Sequence, residues 1–162
     1  MNEKEPMTLA GYEKISKELE QLKNVERNKI AQEIATATDH GDLKENAEYH
    51  AAKEKQVMME KRLALLQDYM GRAQVIDPST LPHAKVSFGS TVKLLDLDDD
   101  KEIIYTIVGA VESNVERGLI SYQSPLARML MGKGAGSDFM ANLPNGSKEF
   151  EVLDVCYKPF EV

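Results

Sequence analysis

The chain has 162 residues, 27 of them Asp or Glu against 20 Lys or Arg, a formal net charge of −7. Such a balance argues against a protein that clamps duplex nucleic acid by itself, because that affinity comes mainly from neutralising phosphates, and it favours a protein partner. A charged start (Met1-Asn2-Glu3-Lys4-Glu5-Pro6), no apolar run long enough to span a bilayer, and a lone Cys156 together point to a soluble cytoplasmic protein with no membrane contact, disulfide or zinc site.

In chain order, Thr8 is placed to cap a first helix, after which Leu9, Tyr12, Ile15, Leu19 and Leu22 recur at three and four residues. Val25, Ile30, Ile34 and Ala37 continue the stripe with one irregular step, and neither proline nor glycine interrupts the segment from Tyr12 to His40. A short reversal follows, near 39–46. Gly41 suits the left-handed exit from a helix, and Asp42 with Glu45 three residues on forms an acidic capping box for the next one. Beyond it, Ala52, Gln56, Met59, Leu63, Leu66, Met70 and Ala73 step 4-3-4-3-4-3, a coiled-coil seam that ends at Gly71 or soon after. Two helices of about 30 residues make a hairpin about 45 Å long with one buried seam.

Composition changes at Ile76-Asp77-Pro78-Ser79-Thr80-Leu81-Pro82-His83, which reads as a linker and divides the chain into 1–77 and 78–162. Thr91–Leu95 and Glu102–Val108 flank an acidic turn and predict a β-hairpin; Leu119–Tyr122 is a short strand. Ser124-Pro125 has the form of an N-cap followed by proline at the first helical position, opening a helix to Met131. Phe139–Leu143, Pro144-Asn145-Gly146 and Lys148–Tyr157 predict a closing hairpin. The fold class is α+β: an N-terminal antiparallel coiled-coil hairpin and a small C-terminal antiparallel β domain.

Three apparent motifs fail on spacing. Asp96, Asp98 and Asp100 match a calcium loop at positions one, three and five, but Lys101 replaces its glycine and Ile107 its last acidic ligand, so the stretch reads as a solvated turn. The run from Gly132 to Ser137 fits neither phosphate-binding fingerprint and reads as a flexible connection. His40, His50 and His83 have no metal-ligand spacing. The carboxylates Asp42 and Glu45 are different. Helix capping explains them, yet one or two carboxylates on an exposed tip are also half of a magnesium site, needing substrate phosphates and another protein's ligands to complete it. Spacing alone leaves both readings open.

The run His40-Gly41-Asp42-Leu43-Lys44-Glu45-Asn46-Ala47-Glu48-Tyr49-His50-Ala51-Ala52 closely resembles the tip of the bacterial Gre (GreA/GreB) transcript-cleavage factors, most of all their GreA branch. Met7-Thr8-Leu9-Ala10-Gly11-Tyr12-Glu13-Lys14 and the block from Ser124 to Lys133 are also similar to that family, so the likeness covers nearly the whole chain. The resemblance implies a C-terminal domain of the FK506-binding-protein type, without isomerase activity, that docks on RNA polymerase. It implies a monomer whose hairpin passes down the secondary channel and stimulates the polymerase's own hydrolysis of backtracked RNA, at the nascent 3′ end. Asp42 then helps hold a Mg2+ shared with the polymerase active site, Glu45 shares in that ion's site and orients the attacking water, and no cofactor is tightly bound. Where family members often carry a basic residue before the tip this chain has Thr38, which leaves Lys53 and Lys44 to meet the RNA and agrees with a preference for short backtracks. Ser124, Pro125 and Leu126 are the expected docking surface. Two other readings remain: a channel-binding inhibitor of polymerase, and a coiled-coil chaperone or folding factor that works through residues 80–162.

Overall fold

A computed structural model describes residues 3–39 and 46–162. The chain divides into two compact units, one formed by residues 12–73 and the other by residues 3–11 together with 74–162. The linker composition had suggested a division at 77/78; instead, Glu3–Gly11 and Gln74–Asp77 pack with the C-terminal unit. The reason is a two-stranded sheet in which β1 (Glu5–Met7) pairs with β2 (Ala73–Val75), extended by the Ile76 amide donating to the Met7 carbonyl at 2.8 Å.

The hairpin unit follows its hydrophobic periodicity. Its outgoing arm consists of α1 (Leu9–Gln21), a π-helical segment (Leu22–Glu26) and α2 (Arg27–Thr38); α3 (Ala47–Arg72) returns. Every residue of the expected α3 seam is buried or half-buried, with Ala52, Met59, Leu63 and Leu66 fully so. The irregular step in the outgoing stripe has a cause in the backbone: the Arg27 amide donates to the Leu22 carbonyl, five residues back. That wide turn absorbs one extra residue, so the seam runs Leu22, Glu26, Ile30 and Val25 turns outward, 52% exposed. Leu9 also leaves the stripe at 59% exposed, since it belongs to the other unit.

The C-terminal unit is built on a five-stranded sheet of order β5-β4-β3-β7-β6. Its strands are β3 (Ser90–Asp96), β4 (Lys101–Val108), β5 (Leu119–Ser121), β6 (Asp138–Leu143) and β7 (Gly146–Tyr157), with the short helix α4 (Pro125–Leu130) before β6. The two expected hairpins form, β3 with β4 and β6 with β7, and β3 pairs with β7 in the centre, with a register shift between Lys93 and Leu94. The sheet is mostly antiparallel, and the exception is β5, which lies parallel to β4. Val92, Leu94, Ile107, Leu130 and Val152 are fully buried in its core, each stabilising the fold by about 1.5–3 kcal/mol. Two glycines are sterically required. At Gly89, where φ is +84°, a Cβ would lie 2.2 Å from the Pro78 side chain, and at Gly109 it would lie 2.3 Å from the Pro6 carbonyl.

Two sequence readings of this unit change. Asp96 is 2% exposed and not a solvated turn residue: its Oδ1 accepts from the amides of Asp98 and Asp99 at 3.0 and 3.1 Å, and its Oδ2 meets Lys148 Nζ at 2.9 Å. The stretch from Gly132 to Ser137 is tied on both sides rather than a loose connection. The Gly132 amide donates to the Val86 carbonyl and the Val86 amide to the Lys133 carbonyl, while the Gly136 amide donates to the Val152 carbonyl and the Val152 amide to the Ser137 carbonyl. Cys156 lies half-buried in β7.

Candidate functional site

The sequence places the site at the reversal between α2 and α3, and the structure describes its two flanks. α2 ends at Thr38, whose hydroxyl donates to the Ile34 carbonyl at 2.7 Å, and the Asp39 amide donates to the Ala35 carbonyl at 3.3 Å. On the other flank Asn46 is extended, with φ −81° and ψ 99°, and α3 starts at Ala47. Asn46 Oδ1 accepts from the Tyr49 amide at 3.1 Å, three residues on, as an N-cap side chain does. The same side chain's Nδ2 donates to the Ala37 carbonyl of α2.

This changes the reading of the acidic pair. Asp42 was expected to cap the returning helix with Glu45 at its third position, whereas the cap is Asn46 and Glu45 precedes it. The N-cap position of α3 is thus taken by Asn46. Asp42, Glu45 and Lys44 themselves lie outside the described residues, as do His40 and Gly41.

Of the basic residues expected near the tip, Lys53 is exposed on α3, with its Nζ 5.9 Å from the Tyr49 ring centroid and 3.5 Å from Gln56 Oε1. The Tyr49 and His50 rings meet edge to face with centroids 5.5 Å apart. Among the described residues no group of three or more His, Cys, Asp or Glu side chains is arranged to hold a metal ion.

In the C-terminal unit, Ser124, Pro125 and Leu126 begin α4 as their order suggests. Ser124 Oγ accepts from the Ala127 amide at 3.3 Å and its carbonyl from the Arg128 amide at 3.0 Å. Pro125 is exposed, whereas Leu126 is half-buried and packs against the sheet core, so it serves packing as well as any surface role.

Sequence reasoning missed a buried carboxylate in the same unit. Glu112 is 3% exposed; its Oε2 accepts from the Thr8 amide at 3.0 Å, while its Oε1 has no hydrogen-bond partner. Burial pushes this carboxyl above its ordinary range, opposed by the Thr8 and Gly109 amides and reinforced by the charge of the nearby Glu5. Nothing in local spacing marks it, since Thr8, which bonds its carboxylate, is 104 residues away.

Both halves of the chain match known families. Residues 5–75 match the N-terminal model of the GreA/GreB transcription elongation factors, and residues 81–157 match the C-terminal model of the same family. Among relatives, the transcription elongation factor GreA of a Nitratiruptor species is 60% identical over 161 residues, 99% of this chain and 98% of that protein. The GreA of Helicobacter pylori strain Shi470 is 59% identical over 155 residues, 96% of this chain and 94% of that protein. A crystal structure of Thermus aquaticus Gfh1 aligns over 95% of this chain and 99% of its own at 28% identity, with a TM-score of 0.44. With both of its units matched and two relatives near 60% identity across their length, the chain belongs to the GreA/GreB family of transcription elongation factors.

Proposed function

We propose that this protein acts on transcription elongation by binding RNA polymerase and stimulating that enzyme's own cleavage of backtracked nascent RNA, as an accessory factor and not as a nuclease in its own right. The observation that carries the reading is the position of the α3 cap: Asn46, and not the Asp42 of the expected capping box, takes the helix N-terminus. A helical hairpin with a single seam is slender enough to pass through a channel, and it brings charge to a place that a globular domain does not enter.

Asp42 supplies the carboxylate that helps hold a magnesium ion shared with the polymerase, with Glu45 beside it to orient the attacking water or take up its proton. Such an ion polarises the scissile phosphate and lowers the pKa of the water. Lys53 and Lys44 offer positive charge to the extruded RNA near its 3′ end, and the start of α4, chiefly the exposed Pro125, offers a docking edge on the C-terminal unit. The protein meets polymerase in the cytoplasm as a monomer; among the described residues no helix is long and apolar enough to cross a membrane.

The test is a transcript-cleavage assay on backtracked elongation complexes with the cognate polymerase. Asp42→Asn and Glu45→Gln keep side-chain size and remove charge, so each is expected to lower stimulated cleavage by about 100-fold or more while still competing with the unaltered protein for stalled complexes. Added magnesium should partly restore Asp42→Asn and do less for Glu45→Gln. Near-normal cleavage by both variants at limiting magnesium would overturn the mechanism and return the choice to the inhibitor and folding-factor readings.

A further inference from the structure

We propose that Asn46 is a positioning residue for the tip carboxylates, acting as a staple across the reversal and not only as the cap of α3. The inference rests on the function proposed above. One side-chain amide bonds both helices: Oδ1 accepts from the Tyr49 amide in the first turn of α3, and Nδ2 donates to the Ala37 carbonyl in the last turn of α2. Ala37 O lies in the last turn of α2, where the Asp39 amide is its other donor, and the Ala37 side chain is itself 2% exposed in the seam. The Ala37 end of the pair is therefore placed by packing in the seam, and the Tyr49 end by the first turn of α3.

The amide is planar, so its donor and acceptor stand at a fixed separation. Making both bonds at once fixes the spacing of the two helix ends as well as the rotamer of Asn46. The consequence falls on the chain between them. Asp39 closes α2 and Asn46 opens α3, so the bond from Asn46 to Ala37 ties together the two described ends that border 40–45, the stretch of sequence that carries Asp42 and Glu45. Carboxylates that must meet a shared ion and a water need their anchor points fixed more closely than helix stability requires, because small misplacements cost rate steeply.

Capping and stapling are separable by substitution. Serine and glycine are both accepted at an N-cap position, but neither can reach across to Ala37. Asn46→Ser and Asn46→Gly are therefore expected to leave the thermal transition of the hairpin nearly unchanged by far-UV circular dichroism, and to compete for stalled complexes like the unaltered protein. Cleavage at limiting magnesium should fall about tenfold, and the magnesium concentration for half-maximal cleavage should rise severalfold, with excess magnesium recovering most of the rate. Both variants are compared with Asp42→Asn in the same assay. If Asp42→Asn is inactive while Asn46→Ser and Asn46→Gly keep the ordinary rate and magnesium midpoint, the staple is overturned and the tip mechanism stands. If the rate falls without a change in the magnesium midpoint, Asn46 serves stability alone, which also overturns the proposal. If Asp42→Asn cleaves normally, the tip mechanism itself fails and the staple loses its purpose.

Discussion

The hairpin and the C-terminal unit bury comparable kinds of residue in different arrangements. In the hairpin Ile15, Ile30, Ala37, Ala52, Met59, Leu63 and Leu66 lie along one line, each with solvent a residue away, and ion pairs cross between the arms. Arg62 meets Glu18 at 2.7 and 3.0 Å, Arg27 meets Glu60 at 3.1 and 3.0 Å, and Lys55 meets Glu33 at 3.3 Å. In the C-terminal unit β3 runs through the middle of a sheet, and the core adds polar groups buried with specific partners. A line of contacts loses stability piece by piece, whereas a layered core loses it as a whole. The slender unit can give up local rigidity without unfolding, whereas the sheet unit cannot.

The largest expected effect tests where one unit ends. A chain of residues 80–162 lacks β1 and β2 and with them the fully buried Met7, so it should be less stable than one in which a short Gly/Ser linker joins Gly11 to Gln74. The deficit should be at least the ~2–5 kcal/mol of losing a buried methionine, read by urea denaturation of the two chains. Equal stability would show that β1 is an accessory to the sheet unit. The joined chain, having no tip, should not stimulate cleavage.

A smaller contrast comes from equal truncations. Leu94→Ala in the sheet core should cost about 4–5 kcal/mol and Leu63→Ala in the seam only about 2–3 kcal/mol, because two helices can close on a small gap and a five-stranded sheet cannot. The difference between the two midpoints in urea is the quantity to measure; a larger loss at Leu63 would contradict the comparison.

Two carboxylates of the C-terminal unit set opposite pH dependences. Glu112 holds its proton above the ordinary value of 4.5, so its contribution to stability is greatest below that value and declines as pH rises through the raised one. Glu112→Gln should keep the Thr8 bond, remove that decline and raise Tm at neutral pH by about 2–4 °C, as followed by thermal melts from acid to neutral pH. A lower Tm at neutral pH would mean that the charged form is the stabilising one. Asp96 works the other way: its bond to Lys148 lowers its pKa, so the stability it adds is present above the ordinary carboxylate range and is lost as pH falls.

The smallest effect belongs to the hairpin surface. A double-mutant cycle on Glu18 and Arg62 should give about 0.5–1 kcal/mol at low salt and less at high salt, since both side chains are over a third exposed.

The hairpin was legible because its information is one-dimensional. A helical seam repeats along the chain, so Ala52 through Ala73 could be read from spacing alone, and the one irregular step in the outgoing arm marked a real change of backbone. The strands and the start of α4 were legible for the same reason, through alternation and the order Ser124-Pro125. What spacing could not show were bonds between distant residues. Thr8 meets Glu112 across 104 positions and Lys148 meets Asp96 across 52. The parallel pairing of β5 was hidden likewise, because a short strand carries no sign of its direction. At the reversal the error was narrower: both Asp42 and Asn46 are good caps, and the choice between them depends on where α2 stops, which a pattern does not give to within a turn.

The wide turn at Leu22–Glu26 gives the hairpin a phase. Each residue added to or removed from a regular helix swings everything beyond it by about 100° around the axis, which would carry a seam residue to the outside. Here one surplus residue is already taken up in a single turn, and Ile30 and Ala37 still face α3. The outgoing and returning arms thus need not be matched residue for residue, and the length of one arm can change by a residue at this turn without rotating α2 beyond it.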